Sequence, residues 1–186
     1  ACLTEEKADV DILILTHIHD DHAGELEMVI NEGTTEVWVG PGISEKLPPM
    51  AGVTVREFKA GDTKDGVEIL WPLDEQVCTT SSCENDQSMV IRVDVGRRLL
   101  VPGDLESGAQ SQLAKRDVSA DIVLIPHHGS PNQDPGFAEA VDADLALLSY
   151  GENTYGHPAA STIDLYARFG DILRTEDGHI YLAIER

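Results

Sequence analysis

The stretch Thr16-His17-Ile18-His19-Asp20-Asp21-His22 decides how the rest of this chain is read. It follows directly on the apolar run Asp11-Ile12-Leu13-Ile14-Leu15, so residues 11–16 read as a strand buried on both faces with a neighbour on each side. The spacing of Leu26, Val29 and Ile30 predicts a helix from Ala23 to about Asn31. His17 and His19 alternate, so on extended backbone they point the same way. Asp21 and His22 turn with the chain as the helix begins and aim at a second point nearby. Neutral imidazole and carboxylate are ligands for a borderline divalent cation. A chain with 7 histidines in all that packs His17, His19 and His22 this tightly is poorly explained by a solvated polar loop.

Three further stretches carry chemistry. In Leu99-Leu100-Val101-Pro102-Gly103-Asp104, a glycine sets an aspartate at the end of an apolar strand, where it can bridge two cations. Alone, the same pattern is an ordinary turn. In Ile122-Val123-Leu124-Ile125-Pro126-His127-His128-Gly129-Ser130, a buried strand ejects two adjacent histidines into a Gly-Ser loop. Neighbouring side chains on a strand face opposite ways. The reading therefore turns His127, nearest the strand end, to the metal and leaves His128 behind it or facing substrate. Asn153-Thr154-Tyr155-Gly156-His157-Pro158 gathers an amide, a phenol and an imidazole on one loop before a helix, with a structural cap as the plainer reading. His179 reads as exposed.

Around these motifs, strands are predicted over 36–39, 53–58, 67–71, 88–95, 98–102, 121–126, 144–149, 171–175 and 179–184. Helices are predicted over 106–116, 137–141 and 160–169, with a tight hairpin at Gly96-Arg97. Alternating strands and helices with interleaved hairpins indicate a layered α/β domain with mixed sheets. The 186 residues are the size of one ordinary domain. With 13 Lys+Arg against 34 Asp+Glu, the net charge of −21 disfavours broad electrostatic attachment to nucleic acid or anionic lipid. Phosphate chemistry must then rest on local cations or bound metal. No apolar stretch approaches the roughly 20 residues of a membrane helix, so a soluble domain is expected. Cys78 and Cys83 enclose Thr79-Thr80-Ser81-Ser82, a short polar loop that a disulfide could close, and two surface thiols are the other reading. A disulfide would argue for an oxidising compartment.

The His-x-His-x-Asp-His block, Gly103-Asp104 and the His127-His128-Gly129-Ser130 loop together resemble the metallo-β-lactamase superfamily. Asn85 with Ser88, Val101-Pro102-Gly103-Asp104, Asn153-x-Tyr155-Gly156-His157-Pro158 and the turn Arg174-Thr175-Glu176-Asp177-Gly178 narrow this further. They resemble the extracytoplasmic domain of the ComEC-type competence family, bacterial cell-membrane proteins of DNA uptake. The resemblance runs from about Asp9 to the C-terminus. It implies an αββα sandwich, one domain over residues 1–186. The family's opening strands have no counterpart before Thr16, which makes the domain read as N-terminally incomplete.

The resemblance also implies two divalent ions, Zn or Mn, held by His17, His19, Asp21, His22, Asp104 and His127, with Asp104 bridging. The family often supplies a further histidine before the Gly-Asp strand. None occurs here between His22 and His127, which leaves that place to Asn85, Asp86, Ser88 or water. Glu25 stands where the family often has a second glycine. Catalytic roles fall to Asp21, Asp104, His128 and His157, and substrate contacts to Asn85, Ser88, Ser130, Asn153 and Tyr155. The implied activity is phosphodiester hydrolysis of single-stranded or duplex DNA. It would degrade the strand that is not imported, beside the rest of a membrane-embedded uptake channel and with no organic cofactor. The alternative is a hydrolase of a small ester, thioester or lactam, which the acidic surface would trouble less.

Overall fold

The computed structural model describes residues 10–30, 33–74 and 81–180. Strands β1 (Ile12–Ile14), β2 (Glu36–Val39) and β3 (Thr54–Glu57) form a parallel three-stranded sheet in the order β1-β2-β3. Seven more strands form the second sheet: β4 (Thr63–Lys64), β5 (Val67–Trp71), β6 (Val90–Asp94), β7 (Arg98–Val101), β8 (Ile122–Leu124), β9 (Leu145–Leu148) and β10 (Asp171–Arg174). Its order is β10-β9-β8-β7-β6-β5-β4, antiparallel from β4 to β7 and parallel from β7 to β10. The expected hairpin joins β6 to β7, with Gly96 at φ 94° donating its N–H to Asp94 Oδ1 at 2.9 Å.

Side-chain alternation decides the layers. In β2, Val37 and Val39 join Leu15 and Ile43 on one face, while Trp38 joins Ile69, Met89 and Ile91 on the other. The Trp38 cluster lies between the sheets, because it also draws Ile12 and Ile14 from β1 and Val67, Val93 and Val101 from β5, β6 and β7. Outside the small sheet, Ala23 of α1 (Asp20–Ala23) and Ile30, just past α2 (Leu26–Val29), pack on the Val37–Val39 face. One further helix, α3 (Ser81–Asp86), precedes β6. Outside the large sheet, Val90, Leu100, Val123, Ala146 and Leu148 pack against α4 (Ser107–Leu113), α5 (Pro135–Val141) and α6 (Ala160–Tyr166) through Leu113, Phe137 and Leu165. This is the αββα order that the family resemblance implies.

Several local expectations differ. Residues 11–16 shorten to β1, whose three residues are half-buried and which, among the described residues, pairs only with β2 at the sheet edge. Ile12 and Ile14 nonetheless pack into the inter-sheet cluster. The single helix over 23–31 is two turns, α1 and α2. The chain tightens at Gly24, where a Cβ would meet the Asp20 carbonyl oxygen at 2.4 Å. The stretch taken as a polar loop ends in α3 because tertiary partners hold it: Trp71 Nε1 donates to the Asp86 carbonyl at 2.6 Å, and the Glu106 N–H to Asp86 Oδ1 at 3.1 Å. Cys83 is disulfide-bonded, while its expected partner Cys78 lies outside the described residues. Of the strand expected over 179–184, His179 and Ile180 are not in a strand and the rest lies outside the described residues.

Candidate metal centre

Loops leaving the carboxyl ends of β1, β7, β8 and β9 meet at one edge of the sandwich, where ligand clefts of α/β folds form. Backbone bonds lock them together. The Met89 N–H donates to the Thr16 carbonyl at 2.8 Å and the His127 N–H to the Gly103 carbonyl at 3.0 Å. The Asp104 N–H donates to Ser88 Oγ at 3.0 Å. Gly103 has φ +57°, and a Cβ there would lie 2.9 Å from the Cβ atoms of both Ser88 and Thr16. Only glycine lets the strand deliver Asp104 this close to the histidine loop.

Asp104 is buried, and its two oxygens face different partners. Oδ1 lies 3.2 Å from His22 Nε2 and 3.7 Å from His128 Nε2. Asp21 Oδ2 closes that side, 3.5 Å from His128 Nε2 and 3.9 Å from His22 Nε2. One ligand atom from each of Asp21, His22, Asp104 and His128 lies within 4.8 Å of the others, a spacing that a single ion can span. His128 Nδ1 donates to the Ser149 carbonyl at 2.9 Å, which leaves the Nε2 lone pair for the group. On the other side, Oδ2 lies 3.7 Å from His17 Nε2 and 3.8 Å from His127 Nε2. His17 is 1% exposed, and its Nε2 has no hydrogen-bond partner among the described residues. A buried imidazole nitrogen without a partner, aimed at a carboxylate, fits an electron-pair donor to a cation.

The electrostatics agree with that fit. Burial, helped by neighbouring His22, lowers the His17 pKa to about 3, so its ring is neutral at physiological pH. Burial by itself would raise the Asp104 carboxyl, but the hydrogen bond from His22 and the charge of His22 outweigh it and bring the pKa to about 2. For His22, burial works downward, and the hydrogen bond and charge of Asp104, then the charge of Asp21, carry it above its ordinary value. His157 is lowered by burial and by His127 and His128 beside it.

His127 and His128 correct the strand-alternation reading. They sit in a tight turn with φ 50° and 51°, followed by Gly129 at φ 79°, so neither is on extended backbone. Consecutive left-handed residues curl both rings toward Asp104, and it is His128 that joins Asp21 and His22. Non-glycine residues held at positive φ cost of order 1–3 kcal/mol each, a strain typical of functional loops. His19 pairs with Glu84, its Nε2 lying 3.1 Å from Glu84 Oε2.

Asp21, Asn85, Asp104, His127, His128, Tyr155 and His157 line a cleft of about 870 Å³, and among the described residues no lysine or arginine lines it. The His157 ring is 5.3 Å from that of His127, and exposed Tyr155 stacks on His157 at 6.2 Å. Three residues expected at substrate are otherwise engaged. Ser88 lies behind Asp104 and His17. Buried Ser130 accepts from the Asn132 N–H at 3.3 Å. Asn153 spends its amide on its own loop, accepting from the N–H groups of Tyr155, Gly156 and His157 and donating to the carbonyls of Gly151 and His157. Sequence reading missed Glu84 and Glu106. Glu106 gathers Asn85, Ser82 and Asn132 at 3.0, 2.6 and 2.7 Å and lies 3.8 Å from His127 Nδ1. Its place two residues after Asp104 was a usable signal; Glu84, inside an unrecognised helix, offered none.

The fold and this His/Asp group define the class: the chain belongs to the Metallo-beta-lactamase superfamily, whose family description it matches over residues 3–133. Its His/Asp group fits a divalent-metal site. Within that class the chain is similar to ComE operon protein 3 of Bacillus subtilis (strain 168), 28% identical over 182 residues that cover 90% of this chain and 24% of that protein. The chain thus spans about a quarter of the length of that curated relative.

Proposed function

We propose that this domain is a metal-dependent phosphodiester hydrolase that acts on DNA during bacterial DNA uptake, degrading the strand that is not imported. The observation that carries the reading is buried Asp104, whose two oxygens face separate sets of imidazoles. Two Zn or Mn ions held there would lower the pKa of a shared water and neutralise charge on a phosphoryl oxygen. His17, His127, His22, Asp21 and His128 are the residues in reach of Asp104 to hold them. With the His128 ring tied to Ser149 and turned into the group, His157 is the imidazole left to hydrogen-bond the phosphate or pass a proton to the leaving oxygen. Similarity to a ComE operon protein supports the competence setting, and the place beside a membrane-embedded channel, outside the cytoplasm, is what the family resemblance of the loop motifs implies. Among the described residues no helix is long and apolar enough to cross a membrane.

One observation favours the second reading, a hydrolase of a small ester, thioester or lactam: among the described residues the cleft has no lysine or arginine to receive a polyanion. The discriminating experiment incubates Mn2+- or Zn2+-loaded protein with single-stranded DNA, duplex DNA and small chromogenic esters and lactams. DNA fragments that disappear with chelator and with Asp104→Asn are expected. Intact DNA alongside turnover of a small substrate would replace the nuclease reading with the second one.

A further inference from the structure

The His17 side of the site lacks the third histidine, and the structure brings a different residue to the gap. Glu84, on α3, places Oε2 3.1 Å from His19 Nε2. His17 and His19 stand edge to face with ring centroids 4.7 Å apart. His17 Nδ1 is within hydrogen-bonding reach of Thr16 Oγ1 at 3.1 Å and Ser88 Oγ at 3.4 Å, which leaves the partnerless, fully buried Nε2 directed at Asp104 Oδ2. Asp86 and Ser88 are committed elsewhere, and Asn85 is held through its Nδ2, while its buried Oδ1 has no hydrogen-bond partner among the described residues and so bonds neither histidine of the block. Asn85 donates to Glu106, Asp86 accepts from the Glu106 N–H, and Ser88 accepts from the Asp104 N–H. Glu84 is the one acidic side chain of α3 that meets a histidine of the His-x-His block.

We infer that Glu84 is a protein ligand of the ion on the His17/His19 side, giving that ion two imidazoles, Glu84 and one oxygen of Asp104. The inference rests on the metal-dependent reading of the site. The chemistry is consistent: a carboxylate in place of an imidazole hardens the donor set and adds a negative charge, which suits manganese better than a three-histidine site does. The position of α3 is held independently of any ion, by Trp71 on the Asp86 carbonyl and Glu106 on the Asp86 side chain. Glu84 is therefore presented to His19 by the fold.

The test is uptake of Mn2+ and Co2+ by the metal-free protein, measured calorimetrically and by the Co2+ absorption spectrum, for the wild type, Glu84→Gln and Glu84→His. The wild type is expected to take up two equivalents. Glu84→Gln should bind one of them at least about 10-fold more weakly, as loss of a coordinating or supporting group does, with the spectrum of the other unchanged. Glu84→His should recover two equivalents and shift preference from Mn2+ toward Co2+. Equal melting temperatures of the metal-free proteins would show that α3 is intact. Two equivalents bound by Glu84→Gln with wild-type affinity would overturn the inference, as would a wild type that binds a single equivalent insensitive to Glu84→Gln. Since uptake is read directly, failure of the wild type to cut DNA would remove the nuclease reading and leave this one standing.

Discussion

The two sides of Asp104 are built differently from similar parts. On the Oδ1 side, Asp21, His22 and His128 converge until their ligand atoms lie within 4.8 Å of one another, and His22 already bonds the carboxylate at 3.2 Å. On the Oδ2 side, His17 and His127 stop at 3.7 and 3.8 Å, and His19 is paired with Glu84. The first side is a closed group that satisfies itself by hydrogen bonds. The second keeps a buried nitrogen without a partner. A self-satisfied group holds its geometry without an ion, at the expense of competition from its own protons. An unsatisfied one is costly until something binds, so an ion bound there would contribute to folding as well as to chemistry.

Removing the shared member should do most. Asp104→Ala takes a ligand from both sides, and hydrolysis should fall by well over about 100-fold, beyond the loss typical of a merely supporting residue. Near-wild-type turnover by this variant would end the comparison, because the sides would no longer share a centre. Splitting the sides comes next. His22→Ala should abolish uptake on the Oδ1 side and leave the Oδ2 side, whereas His17→Ala should do the reverse, each read as loss of about one equivalent of Mn2+ by calorimetry. Identical losses from the two variants would show a single coupled site.

The subtlest expected effect is in the pH dependence of stability with chelator present, where the sides carry opposite signs. His17 has its folded pKa lowered from 6.5 to about 3. Below 6.5 the unfolded chain takes up a proton that the folded one refuses, so stability falls as pH drops through that window. The slope is at most about 1.4 kcal/mol per pH unit. The folded pKa of His22 is raised above 6.5, so its contribution is fully present below 6.5 and is lost as pH rises through the folded value. Urea unfolding of the metal-free protein across pH should therefore show a shallower acid limb in His17→Gln, with the share of His157 and Asp104 remaining, and a shallower alkaline limb in His22→Gln. An unchanged acid limb in His17→Gln would show that His17 is not buried neutral in solution.

Local patterning made much of this molecule legible. The strands β2, β3 and β5 to β10, the Gly96 turn, the layered α/β character and the concentration of chemistry at His17–His22, Asp104 and the two adjacent histidines follow from periodicity and from residue types at strand ends. The short β4 had no such signal, and the αββα order came with the family resemblance. Those signals live within a dozen residues, the range over which a backbone period or a turn preference acts. Where the reading went astray, a partner distant in sequence had intervened. α3 has little intrinsic signal and is held by Trp71 and Glu106. β1 reads as buried yet lies at an edge among the described residues, because burial depends on which strand comes to lie beside it.

By itself, then, the sequence determined the types of the candidate ligands, their strand-end positions and a charge balance that would leave any phosphate chemistry to bound cations. Only the tertiary structure decided their grouping. It curled His127 and His128 through two left-handed residues, so that His128 met Asp21 and His22. It drew Asn153 into its own loop and Ser88 behind Asp104. It also carried Glu84 across 65 positions of sequence to His19. Each of these is a pairing between segments whose meeting is set by how two sheets and their helices bury apolar surface together, a global balance that no local period encodes.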